Sequence, residues 1–100
     1  MKYLHTMVRV SNLDASLDFY CTQLGLRERK RSENERGRFT LVFLAAPGDA
    51  TPGNEGACVE LTWNWDPEAY TVGRNFGHLA YQVDDIYALC SRLQEAGVTI

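Results

Sequence analysis

Residues 59–65 alternate between apolar and polar side chains, and this pattern predicts a β-strand over 58–63 with two different faces. The apolar face carries Val59, Leu61, Trp63 and Trp65. The polar face carries Glu60, Thr62 and Asn64. A carboxylate on an aromatic-rich strand costs free energy unless another group compensates its charge. The pattern therefore predicts a partner for Glu60.

The same alternation predicts strands at 4–10 and 78–83, each of which contains a histidine near its start. In both strands the apolar side chains fall on one face, which we expect to pack against helices. His5 and Arg9 share the opposite face of the first strand, and His78 lies on the opposite face of the second. The remaining strands are predicted as a hairpin, 26–33 and 38–44, with its turn at 34–37.

Helical spacing of leucines predicts one amphipathic helix after each histidine strand. An Asn or Asp can cap each helix, and a glycine ends each: Asn12 or Asp14 with Gly25, and Asp84 or Asp85 with Gly97. Prolines and glycines predict loops between the elements. These are 45–56 and 66–75, the second with a helical turn near 67–70, and a further strand begins at Val98.

The strand and helix that begin at His5 recur at His78, 73 residues later, and such a repeat indicates repeated structural units. The first unit is β-α-β-β-β, and the second shows β-α and the start of a strand. We therefore predict an α+β fold of paired β-α-β-β-β modules within a single domain, 1–100. The first module occupies 1–65, and the second, from 77 to 100, is truncated.

Composition excludes several classes of partner. The net charge of −3 argues against nucleic acid and anionic membrane surfaces. No apolar run is long enough to span a bilayer and no export signal is visible, so we expect a cytoplasmic protein. Three widely spaced cysteines without a CxxC pair suggest reduced thiols. The stretch 27–38 contains six basic and three acidic residues, and we interpret it as a solvated hairpin.

The polar strand faces would collect His5, Glu60 and His78 on the concave side of one sheet. Two imidazoles and a carboxylate form a mixed N/O site for a divalent metal such as Ni, Zn, Fe or Mn. By the repeat, a counterpart of Glu60 should follow His78 by roughly 50 residues, near position 130. Residues 1–100 would then contain three of the four ligands. Taken singly, each histidine could be structural and Glu60 could face water.

Four segments resemble the glyoxalase I (lactoylglutathione lyase) family of the short bacterial type, in the vicinal-oxygen-chelate superfamily. They are Leu4-His5-Thr6-Met7-Val8-Arg9-Val10, Ser16-Leu17-Asp18-Phe19-Tyr20 with Leu24-Gly25-Leu26, Glu60-Leu61-Thr62-Trp63-Asn64-Trp65 and Phe76-Gly77-His78-Leu79-Ala80. The resemblance covers essentially the whole chain. It implies isomerisation of the hemithioacetal of methylglyoxal and glutathione to S-lactoylglutathione, in a homodimer.

The resemblance also implies roles for individual residues. His5, Glu60 and His78 resemble three ligands of a metal, Ni or Zn, that the family holds with two histidines and two glutamates. Arg9 and Asn64 resemble residues that hold glutathione, and a weaker match adds Arg74. Glu60 is then a ligand and a possible proton shuttle. The family's second glutamate, its principal base, has no counterpart here, so the chain is either a fragment or an inactive truncated form.

Two alternatives stay open at the level of sequence. The first is another metalloenzyme of the superfamily: a dioxygenase, an epimerase or a thiol transferase. The second is a non-catalytic binding protein of the bleomycin-resistance kind, which needs no metal. The combination of Arg9 with the 60–65 segment favours the lyase over the other enzymes, and the three aligned ligands argue against the binding protein.

Overall fold

The computed structural model describes residues 1–53 and 56–100, in two compact units, Met1–Tyr70 and Thr71–Ile100. The predicted loop 45–56 follows β-strand residues as expected, and its residues 54 and 55 lie outside the described residues.

The first unit contains a four-stranded mixed sheet. Its strands are β1 (His5–Val10), β2 (Arg27–Asn34), β3 (Phe39–Ala45) and β4 (Cys58–Asn64). Their order across the sheet is β1-β4-β3-β2, with β1 parallel to β4 and the other pairs antiparallel. The predicted β-α-β-β-β order of the first module is confirmed, because a helix connects β1 to β2. The first strand of the chain therefore lies directly beside the last strand of the unit.

The apolar face of this sheet forms the core. Val42, Leu44 and Leu61 have no exposed surface. Burying each of these side chains contributes about 2 kcal/mol to folding. The sequence placed Leu61 on the apolar face of its strand, and the β3–β4 register adds Val42 and Leu44 to the same buried face. The chemistry-bearing residues are left on the other face.

The first predicted helix is present over its expected length but changes its hydrogen-bond pattern part-way. Helix α1 (Leu13–Leu17) begins at Asn12, whose Oδ1 accepts the backbone N–H of Ala15 at 3.0 Å. It continues as a π-helical segment, Asp18–Gln23, and the chain then leaves through Gly25 at a φ of +86°. Glycine adopts this left-handed conformation without a steric penalty.

The hairpin turn is held by side chains. Asn34 Oδ1 accepts the backbone N–H of Gly37 at 2.6 Å. Arg38 ends the turn at a φ of +57°, and its Nη2 lies 2.8 Å from Asp66 Oδ1. The register of β2 against β3 shifts between Glu28 and Lys30, which marks a β-bulge. The sequence predicted the hairpin but not the bulge.

The second unit contains helix α2 (Ile86–Glu95), in which the Oδ1 of Asp85 accepts the N–H of Ala88 at 3.0 Å. The predicted strands at 78–83 and from Val98 are wrong, because neither segment is a strand. A strand needs a partner for its backbone groups, and no strand occurs among the described residues of this unit. The helical turn predicted near 67–70 is also absent, since a single turn nucleates poorly. Neither described helix is long and apolar enough to cross a membrane.

Candidate metal centre

The pairing of β1 with β4 brings His5 and Glu60 together. In the parallel register Met7 lies beside Glu60, so the side chains of His5 and Glu60 fall on the same face. His5 Nε2 lies 2.8 Å from Glu60 Oε2. The imidazole is 37% exposed and the carboxylate 11%. The pair is therefore reached from the imidazole side, while the carboxylate lies deeper in the sheet.

Thr62 holds the second oxygen of the same carboxylate. Its Oγ1 donates a hydrogen bond to Glu60 Oε1 at 3.1 Å, and both residues are buried. Both carboxylate oxygens thus have a partner, which fixes the plane of the carboxylate. The sequence analysis placed Thr62 on the polar face with Glu60 but assigned it no role. Its position two residues after Glu60 on the same strand face was the signal for this contact.

An aromatic side chain also belongs to this face, which the sequence prediction described as polar. Phe43 lies opposite Glu60 in the β3–β4 register. Its ring meets the imidazole of His5 edge to face, with centroids 5.3 Å apart. The contact limits the rotation of His5. The sequence prediction missed Phe43 because it did not establish which faces of neighbouring strands coincide.

A groove opens beside His5 within the first unit. Its volume is about 440 Å³. It is lined by Leu4, His5, Arg29, Lys30, Phe43 and Cys58. A small organic molecule could occupy a groove of this size. The groove combines an imidazole with two cationic side chains and apolar surface.

Arg9 and Asn64 lie further along the same face. Arg9 is exposed and pairs in register with Thr62. Asn64 is half-buried at the end of β4, and its Nδ2 donates to the hydroxyl of Tyr70 at 3.3 Å. The face therefore carries a guanidinium and an amide beyond the His5–Glu60 pair.

Two predicted site residues, His78 and Arg74, belong to the second unit. Both are exposed, and Arg74 follows Gly73 in a turn. Of the three predicted ligands, the structure brings His5 and Glu60 together within one unit. Within residues 1–53 and 56–100, no group of three or more His, Cys, Asp or Glu side chains is placed to hold a metal ion.

The donor atoms of the His5–Glu60 pair suit a divalent metal. An imidazole nitrogen and a carboxylate oxygen are ligands for Ni, Zn, Fe and Mn. The hydrogen bond from Thr62 to Glu60 is of the kind that orients carboxylate ligands.

Comparison with known proteins decides the family. A model of the Glyoxalase/Bleomycin resistance protein/Dioxygenase superfamily matches residues 2–100. The chain belongs to this superfamily. Its membership confirms the predicted fold class, and the family and its glyoxalase I members imply a divalent metal.

Within this superfamily, the chain is similar to several lactoylglutathione lyases and to solved structures of glyoxalase I. A lactoylglutathione lyase of Neisseria meningitidis is 46% identical over 97 residues, which are 97% of this chain and 67% of that protein. The structure of the trypanothione-dependent glyoxalase I of Leishmania major matches with a TM-score of 0.83 at 31% identity, covering 97% of this chain and 67% of that one. Glyoxalase I of Zea mays gives 0.84 at 30% identity, covering 96% and 33%. The chain thus spans about two thirds of the bacterial relative.

Proposed function

We propose that this protein is a lactoylglutathione lyase, which isomerises the hemithioacetal of methylglyoxal and glutathione to S-lactoylglutathione. The observation that carries the proposal is the His5–Glu60 pair, 2.8 Å apart on one face of the sheet. It occurs in a chain that is 46% identical to a lactoylglutathione lyase. The predicted activity is therefore supported by both the site and the relatives.

We assign the metal-binding role to His5, Glu60 and His78, with Ni or Zn as the ion. A bound divalent ion would act as a Lewis acid towards the oxygens of the substrate. His5 is held by Phe43, and the carboxylate of Glu60 is held by Thr62. A second glutamate, which the repeat places outside residues 1–100, would complete the set and act as the principal base.

The reaction moves one proton from the carbon that bears the sulfur to the adjacent carbonyl carbon and one proton between the oxygens on these two carbons, and no atom is gained or lost. A carboxylate with a fixed orientation can accept the proton from one carbon and return it to the other. Glu60 has such an orientation, because both of its oxygens have partners. We therefore assign Glu60 the additional role of a proton shuttle beside the second glutamate.

Arg9, Asn64 and Arg74 are the proposed glutathione-binding residues. A guanidinium can bind a carboxylate through two parallel hydrogen bonds, and glutathione carries two carboxylates. Arg9 is exposed on the sheet face that carries Glu60, as this role requires. The homodimer and the cytoplasmic location remain predictions from the resemblance and the composition.

The test is formation of S-lactoylglutathione by the full-length protein after chelation and after addition of Ni²⁺ or Zn²⁺. We expect turnover with at least one metal and a loss of at least 100-fold in Glu60→Gln. Glu33→Gln, which makes the same change on the hairpin strand, should keep full activity. Absence of product with every metal would contradict the proposal and favour the binding-protein or other-enzyme alternatives. Replacing glutathione with trypanothione in the same assay identifies the thiol.

A further inference from the structure

The groove beside His5 carries two cations that the proposed function does not use. Arg29 and Lys30 line it together with Phe43. The sequence interpretation placed both in a solvated hairpin. In the structure they line the groove of about 440 Å³ that His5 also lines.

The β-bulge explains why both cations reach the groove. Glu28 pairs with Leu44 and Lys30 pairs with Phe43, so that Arg29 is the extra residue. In a regular register Lys30 would lie opposite Val42, on the apolar face. The bulge moves Lys30 to the side of the sheet that carries Phe43.

The cationic side chains of the hairpin differ in whether they have acidic partners. Arg31 Nε lies 2.5 Å from Glu28 Oε1, and Arg38 is paired with Asp66. By contrast, Nη1 of Arg29 is shielded from solvent and has no hydrogen-bond partner in the described part of the chain. A buried donor without a partner costs free energy, and an anionic acceptor would recover it.

The second cation of the groove, Lys30, lies near the aromatic ring of Phe43. Its Nζ lies 5.9 Å from the centroid of Phe43, a cation–π contact. The same ring also meets the imidazole of His5. A ligand in the groove that lies against Phe43 would therefore be near both His5 and the cations.

We propose that Arg29 and Lys30 form a subsite for a carboxylate group of the ligand. Planar guanidinium groups bind carboxylates well, and an ammonium ion adds charge without a fixed direction. The carboxylate can come from the aldehyde-derived part of the substrate or from glutathione. The link to a glutathione adduct rests on the proposed function, whereas binding of the anion itself does not.

Binding of benzoate and of neutral benzamide to the full-length protein, measured by NMR titration, tests the subsite without glutathione. We expect benzoate to bind about tenfold more tightly than benzamide. Arg29→Leu combined with Lys30→Met should abolish this preference, and Lys30→Gln alone should reduce it. Arg36→Gln, which like Lys30→Gln removes one positive charge but from the exposed hairpin turn, should leave it unchanged. The proposal is overturned if the double variant keeps the preference or if Arg36→Gln removes it equally.

Turnover then identifies the source of the carboxylate. Phenylglyoxal and 4-carboxyphenylglyoxal differ only in the carboxylate, and both form adducts with glutathione. A double variant that loses kcat/KM about tenfold with the carboxylated aldehyde alone places the carboxylate on the aldehyde part. An equal loss with both aldehydes places a glutathione carboxylate there. No loss with either overturns the subsite. Absence of turnover in the wild type would contradict the proposed function while the benzoate result stands.

Discussion

At the scale of single residues, the hydroxyl of Thr62 orients the carboxylate of Glu60. It donates to Glu60 Oε1 at 3.1 Å from a buried position. Replacing it in Thr62→Val keeps the shape and removes the hydrogen bond. We expect metal affinity, measured by competition with a chelator in the full-length protein, to fall about 10- to 100-fold.

A matched control lies on the opposite face of the sheet. Thr40 Oγ1 accepts a hydrogen bond from Trp65 Nε1 at 2.8 Å and is also buried. Thr40→Val should lower the free energy of unfolding by about 1–2 kcal/mol and leave metal affinity unchanged. Equal metal affinity in Thr62→Val and wild type would show that the Thr62 contact does not orient a ligand.

Cys21 gives a prediction about reactivity. Burial raises the pKa of its thiol, the carboxylate of Glu28 raises this pKa further, and Arg31 acts in the opposite direction. Because the thiolate is the reactive form, we expect slow alkylation by iodoacetamide at neutral pH and faster alkylation as the pH rises. Glu28→Gln removes a negative charge and should accelerate the reaction about two- to fivefold. Mass spectrometry of the Cys21 peptide measures the rate, and an unchanged or slower rate would refute the assignment.

The caps of the helices could be predicted from the sequence, although with two candidates at each start. The structure selects Asp85 for α2, since its Oδ1 accepts the N–H of Ala88. Asp85→Ala should destabilise the first turn of α2 by about 1 kcal/mol. Hydrogen exchange of the amide groups in this turn should accelerate accordingly.

Asp84 provides the control for this prediction. Asp84→Ala makes the same chemical change one residue earlier, outside the cap. It should leave exchange in the first turn of α2 nearly unchanged. Similar acceleration in both variants would show that the effect is one of local charge and not of the Asp85 hydrogen bond.

The features that sequence reasoning predicted wrongly or missed depend on non-local contacts. Alternation gives the faces of one strand, but the formation of a strand at 78–83 requires a neighbour, and none lies in the described residues of that unit. The bulge at Glu28–Lys30 depends likewise on the register against β3. The pattern of β2 alone does not contain this register. Local signals, such as Gly25 and Asn12, were sufficient for the helix ends.

The order of the strands in the first unit determines which side chains meet in the candidate site. The sequence predicted that His5 and Glu60 each face away from the apolar side. It did not show that β1 and β4 are direct neighbours, which makes the 2.8 Å contact possible. The sequence analysis expected only that these side chains would collect on the concave side of one sheet. Thr62 and Phe43, which fix the two side chains, became visible only when the strands were assembled.

The central claim is that His5, Glu60 and His78 hold the metal at which the lyase reaction occurs. The most direct measurement is a titration of metal-depleted full-length protein with Ni²⁺ while formation of S-lactoylglutathione is followed. We predict that turnover rises in proportion to bound metal until the sites are filled, and that His78→Ala neither binds the ion with comparable affinity nor recovers turnover. Turnover that is independent of metal, or a His78→Ala variant that titrates like wild type, would contradict the claim.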